Sequence, residues 1–165
     1  MHFWDFSYRH GKELTQLLHP EEYQEIHTIL TNLAPFPHGA EKNKTPKYYI
    51  AESFTEHGWK TEIEIPLGTR KSDYCDIAKG KLYIEQEYSK FETLFRDFLR
   101  FMLLFDRGDL DVGIVICYDN RAFDRWENQN TIWKSARATL QRAQDFLEGD
   151  YKTVLRVPMW VIGIE

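Results

Sequence analysis

The run Val112-Gly-Ile-Val-Ile-Cys-Tyr118 constrains the fold of this chain more than any other stretch. It is apolar throughout, without the polar alternation of a strand that keeps one face in water. It is also far shorter than the ~20 residues of a membrane span. A run of this kind predicts a central strand covered on both sides. Two apolar surfaces need two covering layers, and helices on both faces of a sheet supply them. The chain carries suitable helices. Residues 89–106 place Phe91, Leu94, Phe95, Phe98, Leu99, Met102 and Leu103 in one wide stripe, with Ser89 as N-cap and Gly108 as terminator. Residues 10–33 begin with Leu14, Leu17 and Leu18. They restart at Pro20-Glu-Glu and continue with Tyr23, Ile26, Leu30 and Leu33 at helical spacing. A further helix is expected over 130–147.

The remaining segments complete the layout. Residues 34–47 hold prolines, a glycine and lysines, and are expected to form a loop. The stretch 55–67 contains Trp59 and the alternating Thr61-Glu-Ile-Glu-Ile65, a strand ended by Pro66 and Gly68. Residues 153–164 close the chain as a strand, with Pro158 at an edge or a bulge. The order αβ(β)βαβαβ predicts an α/β fold: a mixed β-sheet flanked by helices on both faces, with residues 1–165 as one domain.

Composition narrows the function classes. Charged residues make up 28% of the chain, an ordinary globular share. No membrane span is visible. The start Met-His-Phe-Trp-Asp-Phe has no basic region followed by an apolar one, so a cytoplasmic protein is expected. The two cysteines make no disulfide framework: Cys117 lies in the apolar run, and Cys75 has no partner at metal spacing. The six histidines form no zinc pattern. The net charge of −5 argues mildly against DNA binding, although bases can be segregated on one face.

Chemistry concentrates in Asp76-Ile-Ala-Lys-Gly-Lys-Leu-Tyr-Ile-Glu85-Gln-Glu87. Lys79-Gly80-Lys81 is the turn of a hairpin. On its second strand Tyr83, Glu85 and Glu87 share one face, and Leu82, Ile84 and Gln86 the other. With Asp76 on the adjacent strand, three carboxylates can converge. Such a group repels itself unless a divalent cation joins it. A cation so held can activate water against a phosphodiester. The competing reading is a solvated sheet face. Glu62 and Glu64 could offer a further carboxylate, and Asp73 rivals Asp76. Asp119, Asn120 and Arg121 follow the central strand. Their side chains suit cytosine, adenine and guanine in turn, and equally suit a plain turn.

Several stretches together resemble the BglII/BstYI group of type II restriction endonucleases, in the PD-(D/E)xK nuclease superfamily. They are Phe54-Thr-Glu-His-Gly-Trp59, the spacing from Asp76 to Glu85-x-Glu87, and Glu87-Tyr-Ser-Lys90. They continue with Phe95-Arg-Asp-Phe-Leu-Arg100-Phe, Leu110-Asp-Val-Gly-Ile-Val-Ile116 and Pro158-Met-Trp-Val-Ile-Gly163-Ile. Their order is kept across nearly the whole chain. The chain departs from the group in having Glu87 where its members carry glutamine, and the superfamily usually lysine. It is also shorter, mostly beyond Arg121.

The resemblance implies a restriction-endonuclease-like fold and Mg²⁺-dependent cleavage of double-stranded DNA at a short palindrome, with Mn²⁺ as a substitute. Asp76 and Glu85 would hold the cation, the Gln86 carbonyl would complete its shell, and Glu87 would act as general base or second-metal ligand. Ser89, Lys90 and Arg100 fall at DNA-contacting positions, Arg100 being otherwise a surface cation. A homodimer is implied, to which Trp4, Phe123 or Trp133 could contribute. The alternatives are a repair or structure-specific nuclease of the same fold, and a non-catalytic DNA-binding module.

Overall fold

The computed structural model describes residues 2–33, 46–66, 72–121 and 137–165. In chain order the elements are β1 (Phe3–Tyr8), α1 (Gly11–Leu18), α2 (Pro20–Asn32), α3 (Pro46–Glu56), β2 (Lys60–Pro66), β3 (Ser72–Lys79) and β4 (Leu82–Gln86). They continue with α4 (Phe91–Asp106), β5 (Val112–Tyr118), α5 (Leu140–Glu148), a 3₁₀ turn (Asp150–Thr153) and β6 (Met159–Ile164). The strands form one sheet in the order β1-β6-β5-β4-β3-β2. β4, β5 and β6 are parallel to one another, while β1, β3 and β2 join antiparallel.

Every residue of β5 is buried. Val112, Ile114 and Ile116 pack with Ile26 and Leu30 of α2 and with Ile50 and Phe54 of α3. Val115 and Cys117 face the other way, onto Leu94, Phe98 and Phe101 of α4 and onto Ala143 and Leu147 of α5. The unbroken apolar run therefore meets two separate cores. Gly113 is the one position in β5 with no room for a side chain, because a Cβ there would lie 2.4 Å from the Phe101 ring.

Several expectations are corrected. The structure adds β1 and α3 to the expected elements. Helix occupies residues up to Glu56, so the strand expected over 55–67 starts at Lys60. Helix α3 buries Ile50 and Phe54, one turn apart. The closing strand begins at Met159 and is interior, between β1 and β5. Pro158 stands just ahead of it, its carbonyl accepting the Gly113 N–H at 3.0 Å. Lys90, in an extended conformation, is the N-cap of α4 rather than Ser89. Leu17, Leu18 and Leu99, expected in apolar stripes, are exposed. The loop at 34–45, Gly68, and the 130–136 part of the expected helix lie outside the described residues. Among the described residues no helix is long and apolar enough to cross a membrane.

The sheet opens at one point. β3 pairs with β4 at Lys79, Ala78 and Ile77, and the ladder stops before Asp76 would meet Glu85. β2 pairs with β3 on either side of Asp76, at Thr61↔Ile77 and Ile63↔Cys75, but not through Glu62. Glu62 has φ of 52°, a left-handed conformation that costs a β-strand its pairing. In strict alternation Cys75 and Ile77 would share a face. Here Cys75 enters the α4 core and Ile77 the α2–α3 core, so the strand turns about Asp76.

Candidate functional site

Asp76 fills the gap left by the opened ladders. Its Oδ2 accepts the main-chain N–H of Gln86 at 2.8 Å, replacing a lost strand partner. Its Oδ1 lies 2.6 Å from the ammonium of Lys47, on the first turn of α3. The Gln86 side-chain amide also donates to the Lys47 carbonyl at 3.4 Å. The start of α3 is thus fastened to the site through both its main chain and its side chain.

Glu85 points to the α4 side, 4% exposed. The guanidinium of Arg100 binds it directly. Burial first, then the like charges of Asp97 and Asp76, push the Glu85 carboxyl up to about 8 against the pull of Arg100. Asp97, one turn before Arg100 on α4, is raised to about 6, chiefly by burial. Arg100 also reaches Asp97 at 3.2 Å and Asp73 at 2.6 Å. Burial opposes the charge on Arg100, but Glu85, Asp73 and Asp97 outweigh it and hold the guanidinium ionised. For Asp73 burial is likewise outweighed, by its hydrogen bond from Arg100, and its carboxyl sits below the usual range.

Arg100 is therefore not a surface cation. It is 4% exposed, and three acids engage its donors, so no free fork faces outward to a base. Glu87 is 8% exposed and, like Glu85, lies on the α4 side, where it raises Asp97. Its Oε1 accepts the N–H of Ser89 at 2.7 Å and the Ser89 hydroxyl at 2.5 Å. Ser89 thus holds Glu87, and Lys90 beside it is exposed. Among the described residues no three Asp, Glu, His or Cys side chains close on one point as a metal cage. Asp76 couples to Glu85, and Asp76 and Glu87 couple to Asp97, so the three expected acids share one electrostatic field without forming a cage of their own.

The donors nevertheless suit a hard dication. They are carboxylate oxygens, and one of the carboxyls, Glu85, resists ionisation first because it is buried and then because Asp97 and Asp76 lie near it. The nearby thiol is not a ligand: Cys75 is buried and donates to the Ile84 carbonyl at 3.3 Å. Lys47 and Arg100 balance the carboxylates that a cation would otherwise balance. A groove of about 1040 Å³, lined by Lys47, Glu62, Asp76 and Gln86 among others, adjoins these groups. Glu62 is exposed in that groove and stands opposite Asp76 in the sheet register; Glu64 is exposed on the same strand.

The third group lies after β5. Asp119 is 3% exposed and accepts the Arg121 N–H at 2.8 Å, with the Arg121 Nε at 3.3 Å. The Arg121 guanidinium stacks over Trp4, 4.1 Å from the ring centroid. Asn120 is exposed. Trp4 is half-buried beneath Arg121, and Phe123 and Trp133 lie outside the described residues. Lys47, Asp97 and the Asp73–Arg100 pair escaped the sequence reading. Asp97 and Arg100 are visible in sequence as an i,i+3 pair, but their burial against Glu85 is a tertiary fact, and nothing local places Lys47 beside Asp76.

The sequence matches the family described as restriction endonuclease BglII/BglIII over residues 4–164. No curated protein sequence matches the chain. Among solved structures it is similar to restriction endonuclease BglII complexed with a DNA 16-mer. The TM-score there is 0.74 at 20% identity, covering 99% of this chain and 76% of that one. It is similar also to free BglII, with a TM-score of 0.62 at 18% identity, covering 100% of this chain and 80% of that one. At these identities the likeness is one of fold.

Proposed function

This chain belongs to the restriction endonuclease BglII/BglIII family and is a type II site-specific deoxyribonuclease; from that premise we propose a Mg²⁺-dependent enzyme that cuts double-stranded DNA at a short palindrome as a homodimer. The observation that carries the reading is the opened sheet at Asp76, with Glu85 beside it on the neighbouring strand. Asp76 and Glu85 would hold the cation, with the Gln86 carbonyl as a third ligand, and Mn²⁺ would replace Mg²⁺. Bound there, the cation supplies an activated water and neutralises charge growing on phosphorus.

The chain's own residues do the rest. Gln86 holds Asp76 through its main-chain N–H, which fixes the carboxylate against the gap. Glu87 takes the proton of the attacking water or ligates a second cation, and Ser89 holds it in waiting. Glu62 offers a further carboxylate, better placed than Glu64 because it lines the same groove as Asp76. Arg121, steadied by Trp4 and Asp119, is the base reader of the third group, with Asn120 beside it. Lys90 meets the phosphate backbone. Arg100 acts within the acid cluster instead.

Plasmid digestion tests the reading. The wild type should give discrete fragments in Mg²⁺ and none in EDTA, and Asp76→Asn, Glu85→Gln and Glu87→Lys should each lose cleavage. A smear of fragments would favour a structure-specific nuclease, and DNA binding with no cleavage in Mg²⁺ or Mn²⁺ a non-catalytic module. Undiminished cutting by Glu87→Lys at neutral pH would remove the requirement for a carboxylate there.

A further inference from the structure

We propose that Lys47 is a catalytic residue of this nuclease, its ammonium donating to the phosphate oxygens at the bond being cut. The assignment rests on the reading of Asp76 as a site ligand. Hydrolysis of a phosphodiester gathers negative charge on the phosphoryl oxygens. Around Asp76 the structure gathers mainly acids: Asp73, Glu85, Glu87 and Asp97. Arg100 cannot serve the phosphate, because it is buried and bound to three of them.

Lys47 has what Arg100 lacks. Its ammonium lies 2.6 Å from Asp76 Oδ1, and its side chain is 51% exposed on the groove that holds Asp76. An ammonium carries three donors, of which Asp76 occupies one. The half-exposed stem lets the charge move without burial. Its helix is meanwhile fixed to the site, through the Gln86 amide on the Lys47 carbonyl. Water attacks phosphorus and the bond from phosphorus to the leaving oxygen breaks. The water's proton passes to a site carboxylate, and the leaving oxygen is protonated from solvent. Lys47 transfers no proton in this sequence; it holds charge on the phosphoryl oxygens.

The test compares wild type, Lys47→Met and Lys47→Arg as full chains on a duplex carrying a site cut by the wild type. Lys47→Met should lower kcat roughly 10²-fold with Mg²⁺ saturating, the scale of one lost oxyanion donor. Lys47→Arg should recover part of that loss. Without divalent ions, the salt dependence of duplex binding should lose about one unit of slope in Lys47→Met. Thermal unfolding reports whether each variant is folded, and the arginine variant carries the comparison if the methionine one is not. Unchanged kcat in a folded Lys47→Met, or full rate at lower Mg²⁺, overturns the assignment. The second outcome would mean that Lys47 only keeps the cation's place. A wild type that cuts no duplex overturns both this assignment and the reading beneath it.

Discussion

Arg100 shows how much of this site is decided by single side chains. Its guanidinium joins α4 to β3 and β4 by binding Asp73, Asp97 and Glu85 together. Removing it strips Asp97 and Glu85, both buried, and the half-exposed Asp73 of their shared donor, which costs more than the pairs themselves contribute. Arg100→Met should destabilise the metal-free protein by about 3–5 kcal/mol in urea unfolding. Mg²⁺ should restore more stability to that variant than to wild type. Equal loss with and without Mg²⁺ would separate Arg100 from the cation's ligands. Glu85 adds a pH dependence whose sign follows from its shift. Its carboxyl rises from the ordinary 4.5 to about 8 on folding. The folded chain therefore keeps a proton that the unfolded chain gives up, and this stabilisation is present below pH 4.5 and lost as pH climbs toward 8. Asp97 contributes in the same sense between 3.8 and about 6. A cation needs the ionised carboxylate, so its binding releases that proton and tightens over the same window. The urea midpoint without Mg²⁺ should fall across this range, half-saturating Mg²⁺ should fall with it, and Glu85→Gln should flatten the first trend. A wild-type midpoint that does not change with pH would contradict the buried, protonated Glu85.

At the scale of elements, β5 and α4 meet with no space to spare. Gly113 lies against the Phe101 ring, and Phe101 follows Arg100 on the helix. A methyl at 113 must push the ring, and the ring moves the turn that holds Arg100 on Glu85. Gly113→Ala should therefore cost about 1–3 kcal/mol in denaturant unfolding and impair cleavage as well. Adding Phe101→Leu should recover part of both. Gly11→Ala should be worse tolerated, because its Cβ would lie 2.2 Å from the main chain of Met159, which cannot rotate aside. These contacts also show what a sequence can carry. The run Val112–Tyr118 announced a doubly covered strand because both of its faces are apolar, and the structure puts one face in each core. The hairpin faces of Tyr83 and Ile84 followed from the two-residue period in the same way. β1 escaped notice because Phe3–Tyr8 is an edge strand, partly buried at five of its six positions, with no clear alternation. α3 was obscured by the loop-like composition before it. The left-handed Glu62 was illegible, since a glutamate in a regular Thr-Glu-Ile-Glu pattern gives no sign of breaking its ladder. The opened sheet that seats Asp76 is thus a consequence of tertiary strain rather than of local preference.

At the scale of the whole molecule, the net charge of −5 and the acids around Asp76 pose a problem for binding DNA. Two features of the proposed enzyme ease it: a cation in each site, and two protomers sharing one duplex. The β2 edge is ill suited to joining protomers. β2 is exposed at Lys60, Glu62 and Glu64, charges that resist strand addition. Pairing away from β2 leaves that edge free and the opened sheet clear for the duplex. A two-fold assembly on a two-fold site places one Asp76–Glu85 centre on each strand. Both strands are then cut in one binding event, so supercoiled plasmid should pass to linear product with little nicked intermediate. Sedimentation should give twice the protomer mass at the same protein concentration. Mixing in an excess of Glu85→Gln protomers should convert linear product to nicked circles, because each mixed dimer keeps one working centre. Nicked circles that dominate in the pure wild type, with a sedimenting species of protomer mass, would show each chain acting alone and would remove the two-fold argument for a palindrome.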